Sequence, residues 1–103
     1  MAFSTQFISH PSSGVKNMLA QRLGPHGKKI FAEEGFEFDA VGLIQGKLVD
    51  MICAADIAEK AASVEVFDLR GLCPQHITMV GIFGDVSAVK AALDAIKNAD
   101  NLK

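Results

Sequence analysis

Tryptophan and tyrosine are absent from this 103-residue chain, which also carries only two cysteines and three prolines. Without Trp or Tyr, the amphipathic aromatic anchors that dominate transient binding faces are scarce. Two thiols, Cys53 and Cys73, are too few for the disulfide framework of a small secreted domain, which usually carries roughly four or more cysteines. They fit two reduced thiols of a cytosolic protein better than one bridge. Basic charge is sparse: Lys28-Lys29 is the only doublet and the formal net charge is −2. A nucleic-acid footprint needs a basic stripe, and none is present. No apolar run approaches the ~18 residues of a membrane span. The stretch Met1-Ala2-Phe3-Ser4-Thr5-Gln6 lacks the basic region followed by an apolar segment that marks a secretory signal. These absences exclude nucleic-acid and membrane partners and point to the cytoplasm.

What is present is apolar. Half of the residues are hydrophobic and only 21% are charged, which excludes a disordered chain. The length fits one domain. A domain this small buries roughly two-thirds of the surface of its unfolded chain, so it folds with little margin. Its excess of Ala and Val predicts that part of the apolar surface faces another subunit.

Residues 3–9 read as a short strand, stopped by His10-Pro11, because proline cannot donate to a ladder. Ser12 or Ser13 can cap a helix, and Val15, Met18, Leu19 and Leu23 recur at helical spacing until Gly24-Pro25 ends it. Residues 25–36 read as a polar loop with Ile30, Phe31 and Phe36 to pack. A buried strand is predicted over 37–45, broken by Gly46. A helix follows over 48–62, with Leu48, Val49, Ile52 and Ala55 on one side as its apolar face. Its alanines favour helix and allow close approach. Strands over 63–69 and 77–83 flank a loop at 70–76. Gly84 turns the chain and Asp85 caps a last helix that buries Val86, Val89, Leu93 and Ile96.

From residue 37 the order is strand, helix, strand, strand, helix. That is a ferredoxin-like split βαβ unit without its last strand, which residues 3–9 supply. Such an order says nothing of function, but two motifs do. Ala54-Ala55-Asp56-Ile57-Ala58-Glu59-Lys60-Ala61-Ala62-Ser63-Val64 and Gly84-Asp85-Val86-Ser87-Ala88-Val89-Lys90-Ala91-Ala92 resemble the signature of the bacterial microcompartment shell (BMC) domain, with the right separation between them. The resemblance covers residues 37–99 in order. It implies an α+β fold, a ferredoxin-like antiparallel four-stranded sheet with helices, as a single BMC domain over residues 1–103. Phe7-Ile8-Ser9-His10-Pro11 followed by a helix looks like the piece that ordinary members carry at the C-terminus. Residues 3–24 are then the permuted strand and helix, as in the circularly permuted subfamily, and 37–99 the βαββα core. That subfamily often adds an N-terminal barrel over the pore. Only about two residues precede the first strand here, so the barrel is expected to be absent. The resemblance implies a homohexamer that tiles with other shell proteins around a compartment in the cytoplasm, and no catalytic residues. A flat ring with like edges can pave a sheet. Lys60 falls on the family's edge lysine, which contacts a neighbouring hexamer; read alone it is a solvated helix-face lysine.

In this family the loop between the central strands points at the six-fold axis. Here it runs Arg70-Gly71-Leu72-Cys73-Pro74-Gln75-His76. Gly71, Leu72, Cys73, Pro74 and Gln75 resemble the Gly-x-Cys-Pro-Gln loop of shell proteins from compartments housing a glycyl-radical propanediol-type enzyme, a subset associated with an iron–sulfur cluster. The resemblance implies a cluster, [4Fe-4S], ligated by Cys73, with electron transfer or cluster delivery to an encapsulated glycyl-radical enzyme or redox partner. The chemistry is coherent. Clusters are held by cysteine thiolates, usually about four, and six-fold symmetry multiplies one thiol per chain. Pro74 removes an N–H and fixes the backbone, while Gly71 is free to adopt φ > 0 and leave N–H groups for sulfide. A cube offers four corners to six thiolates, so either some cysteines stay unligated or the ring departs from symmetry.

Other residues carry less. Cys53 lies mid-helix among Ile52, Ala54 and Ala55 and reads as a buried small hydrophobe. His10, His26 and His76 have no ligand partner three or four residues on. Glu33, Glu34, Glu37 and Asp39 form no acid/base pair recognisable from spacing, and no phosphate loop is present. Two alternatives stand beside the cluster-bearing tile. One is a plain metabolite pore constricted by Leu72 and Gln75. The other is a small ferredoxin-like regulatory domain that binds a ligand.

Overall fold

The computed structural model describes residues 3–33, 37–70 and 77–101. Four strands, β1 (Phe3–Ser9), β2 (Ala40–Lys47), β3 (Glu65–Leu69) and β4 (Ile77–Gly84), form one antiparallel sheet in the order β1-β2-β4-β3. The N-terminal strand closes the sheet as expected, pairing Phe3 with Gly46 through Ser9 with Ala40. The two central strands are buried on both faces, and their alternation separates two cores. Ala40, Ile44, Val80 and Ile82 point to one side, with Val41, Phe83 and, from β3, Phe67 and Leu69 on the other.

The first face is covered by α3 (Leu48–Ala61) and α4 (Val86–Asn101). From α4, Val89, Leu93 and Ile96 are buried there. Asp85 caps α4 as predicted, its Oδ1 accepting from the Ala88 N–H at 2.7 Å. Gly42 lets Leu93 approach the sheet, since a Cβ there would stand 3.1 Å from its Cδ1. The second face is covered by α1 (Ser13–Arg22) and α2 (Pro25–Glu33), whose Leu19, Ile30 and Phe31 pack on an aromatic cluster of Phe38, Phe67 and Phe83. Ser12 caps α1 by accepting from the Val15 N–H at 3.3 Å.

Three expectations need correction. Residues 25–33 are a helix rather than a loop. Pro25 opens it, at the position where a missing N–H costs nothing, and burial of apolar residues against the aromatic cluster outweighs the polar composition. Gly46 does not end β2 but sits inside it, paired with Phe3 and Thr78, because strands on both sides hold it; β2 itself starts at Ala40 rather than at residue 37. On α3 the buried residues are Met51, Ala54 and Ala58. Leu48, Val49 and Ile52, read as part of its apolar face, are 57%, 71% and 64% exposed. Both sides of α3 are apolar in its first half, and the side that carries Met51 with the small Ala54 and Ala58 is the one that lies on the sheet.

Candidate functional site

β2 ends at Lys47, which pairs with Ile77 of β4, and β3 ends two positions away in the ladder, where Leu69 pairs with Met79. The connection between β3 and β4 therefore leaves and re-enters the sheet at the end where α3 begins. Gly71, Leu72, Cys73, Pro74, Gln75 and His76 lie outside the described residues. Its root is described. Arg70 donates its backbone N–H to the Arg22 carbonyl at 2.7 Å, and the Arg22 guanidinium donates to the Arg70 carbonyl at 3.2 Å. Leu23 forms an isolated antiparallel bridge with Leu69.

The first half of α3 flanks the same end. Leu48 and Ile52 line a groove of about 230 Å³ between α3 and the β3–β4 side of the sheet, with Met51, Ala55, Val66 and Val80 as its apolar walls and Glu59 and Asp68 at its rim. Val49 is exposed on the outer side of the helix. Cys53, expected to be buried, is an exposed free thiol, because it shares the outward side of α3 and not the side that holds Met51. Lys60 lies about 18 Å further along the helix than Leu48 at ~1.5 Å per residue. Its ammonium is 2.9 Å from Asp56 Oδ2, one turn back, with 76% of its side chain exposed. The hydrogen bond that Lys60 donates to Asp56, then the Asp56 charge, raises the Lys60 pKa above its ordinary value. The helix thus runs from an apolar exposed start beside the connection to a charged exposed end.

At the opposite end of the sheet, Glu37, Asp39, Glu65 and Asp85 surround a cleft of about 400 Å³. Asp85 is committed to its helix cap: the Ala88 N–H, then the Ser87 hydroxyl, lower its pKa. His10 and His26 sit apart, His26 against the Phe67 ring. No cluster of three or more His, Cys, Asp or Glu able to hold a metal occurs among the described residues. Of the two thiols in the chain, Cys53 is exposed on α3 and Cys73 lies outside the described residues. One thiolate fits a cluster only where several chains converge. Sequence reasoning missed the Arg22–Arg70 contact, since no local signal joins residues 48 positions apart.

A four-stranded antiparallel sheet of this order, with α3 and α4 on one face, is the BMC-domain architecture. The BMC-domain family model matches residues 40–102, and the chain belongs to that family, the structural shell proteins of bacterial microcompartments, which assemble into oligomers with other shell proteins. Among solved structures, it is similar to the GrpU microcompartment shell protein from Clostridiales bacterium 1_7_47FAA in its ligand-free form. Identity is 34%, over 95% of this chain and 92% of that one, with a TM-score of 0.70. It is also similar to the ligand-free GrpU shell protein from Pectobacterium wasabiae, at 32% identity over 91% and 99% of the two chains and a TM-score of 0.70. The fused permuted hexameric shell protein MSM0275 of the RMM microcompartment shares the fold, with 20% identity over 95% of this chain and 45% of that one, and a TM-score of 0.70. That likeness is consistent with the permuted order in which β1 and α1 precede the core. No curated protein sequence matches the chain. No helix among the described residues is long and apolar enough to cross a membrane. The family assignment replaces the alternative of a ligand-binding regulatory domain.

Proposed function

We propose that this shell protein forms a homohexameric ring in which the six β3–β4 connections meet at the axis, and that the six Cys73 thiols there supply ligands for an iron–sulfur cluster, [4Fe-4S]. One observation supports the ring: the exposed apolar half of α3 lies at the same end of the sheet as the connection. Leu48, Val49 and Ile52 stay in water unless a neighbour covers them. A neighbour that covers them stands beside the root of the connection. Repeating that contact head to tail closes a ring whose inner rim carries the connections. The charged end of α3, with Lys60, is then directed outward, where it contacts the next tile. A second copy is the occupant argued for here because the family is one of self-assembling tiles.

The cluster rests on the donor chemistry of Cys73-Pro74 and on the resemblance of the Gly71–Gln75 loop. In the ring, single thiols act as a set, and the bound cluster would supply one-electron chemistry across the shell or be passed to an encapsulated partner, a glycyl-radical enzyme or its redox protein. Sedimentation of the purified protein tests the ring: the expected mass is that of six chains, and a stable monomer at high concentration refutes it. Anaerobic reconstitution with iron and sulfide tests the cluster: the expected product is brown and its colour is lost in Cys73→Ser. A colourless hexamer refutes the cluster and leaves a tile whose pore, constricted by Leu72 and Gln75, passes a metabolite.

A further inference from the structure

We propose that Arg22 is a positioning residue that clamps the root of the thiol-bearing connection to the end of α1. The proposal deepens the cluster-bearing ring and rests on that reading for its electrostatic part only. Three contacts join the segments. The Arg70 N–H bonds to the Arg22 carbonyl at 2.7 Å. The Arg22 guanidinium returns to the Arg70 carbonyl at 3.2 Å. Leu23 bridges Leu69 in antiparallel register. Residues 22–23 therefore act as a short extra strand on the outer edge of β3, covering backbone groups that an edge strand otherwise leaves open. The Arg22 carbonyl is also one of the orphan acceptors at a helix C-terminus, so one bond satisfies the end of α1 and fixes the start of the connection.

Gly24 lies under the same contact. A Cβ there would stand 3.3 Å from Asp68 Oδ1 and 3.5 Å from Arg70 Nε, so the Asp68 and Arg70 side chains lie close over the α1–α2 junction. Arg70 Nε is 4.0 Å from Asp68 Oδ2. Arg22 has no acidic partner among the ion pairs of the described residues. Its charge, with that of Lys47 at the same end of the sheet, is left to act on the connection. Cys73 is three residues beyond Arg70, at most ~11 Å of extended chain, about one screening length at ordinary ionic strength. Arg22 therefore does two things: it holds Arg70 in place and keeps a positive charge at the end of the sheet where the thiols converge. A nearby cation favours the more negative, reduced state of a cluster.

Arg22→Met, which keeps the alkyl stem and removes the donor and the charge, tests both parts, with Arg22→Lys as the conservative rescue. Hydrogen exchange of amides 69–70 and 77–79 is measured in cluster-free protein. The expected result is exchange on the order of fivefold faster in Arg22→Met, the factor one exposed hydrogen bond contributes to a local opening equilibrium, and wild-type exchange in Arg22→Lys. Equal exchange in wild type and Arg22→Met overturns the clamp. In reconstituted protein the cluster potential is expected to move negative in Arg22→Met and to return in Arg22→Lys; an unmoved potential overturns the electrostatic part. A colourless wild type refutes the cluster reading instead, and the exchange comparison still decides the clamp.

Discussion

Replacing Ile52 by Asp separates assembly from folding. In the single chain Ile52 is 64% exposed, beside Leu48 at 57% and Val49 at 71%. Full burial of an aliphatic side chain stabilises by ~1.5–3 kcal/mol. With most of each side chain still in water, covering all three contributes about 3–6 kcal/mol per contact between copies, as an upper bound. Aspartate at position 52 removes its share of that and forces a carboxylate into an apolar contact, a cost of several kcal/mol. The two together come to at least ~4 kcal/mol per contact, or about a thousandfold in association constant. A closed ring repeats the loss at every contact.

The isolated chain feels much less. An exposed substitution on a helix costs about 0.5 kcal/mol. Asp56 one turn on adds a like-charge penalty of ~0.2–0.5 kcal/mol. Sedimentation across a concentration series, with far-UV circular dichroism and thermal melting of the same samples, reads both quantities. The expected outcome is a folded monomer where the wild type is a ring. A correctly folded Ile52→Asp protein that assembles at wild-type concentrations would show that this face is not the contact and would remove the argument for an axial connection.

Gly81→Ala is expected to destabilise by ~1–3 kcal/mol in urea unfolding, because the new methyl stands 2.7 Å from Phe83 Cε1 and 3.0 Å from Leu69 Cδ1. Phe83 is fully buried among Phe31, Phe38 and Phe67 and has nowhere to swing; unchanged stability would mean that the aromatic cluster repacks freely. The cap at Asp85 has a pH signature. Its folded-state pKa lies below the ordinary 3.8, so its contribution is fully present above that value and is lost as pH falls through the lower, folded one. The stability difference between wild type and Asp85→Ala should be constant near neutrality and shrink below about pH 4; a difference that persists in acid assigns the effect to something other than the carboxylate.

Legibility followed the range of the interaction. The caps at Ser12 and Asp85 are contained within four residues, and both stand as read. The near-continuous apolar runs of β2 and β4 mark strands buried on both faces, and the stripe Val89, Leu93, Ile96 marks a helix with one wet side. α2 was not legible, because Pro25-His26-Gly27-Lys28-Lys29 carries little helical signal of its own and is held by the aromatic cluster, most of which lies beyond it in the chain. The orientation of α3 was not legible either. With Leu48, Val49, Met51 and Ile52 spread around its first turns, periodicity leaves several faces equally apolar, and the choice is made by how closely Ala54 and Ala58 let the backbone approach the sheet. The Arg22–Arg70 contact needs the fold before it can be seen at all.

The ambiguity of α3 is itself informative. A helix that served a monomer alone would be apolar on one side and polar on the other. The second half of α3 follows that rule, with Asp56, Glu59 and Lys60 exposed and Ala58 buried. The first half breaks it in the place where the sheet emits its β3–β4 connection. A sequence pays stability and solubility for such a departure only where the exposed face is covered in the working state. The exposed Cys53 lies in that same stretch. Covering the first half of α3 by a neighbouring copy would bury that thiol too.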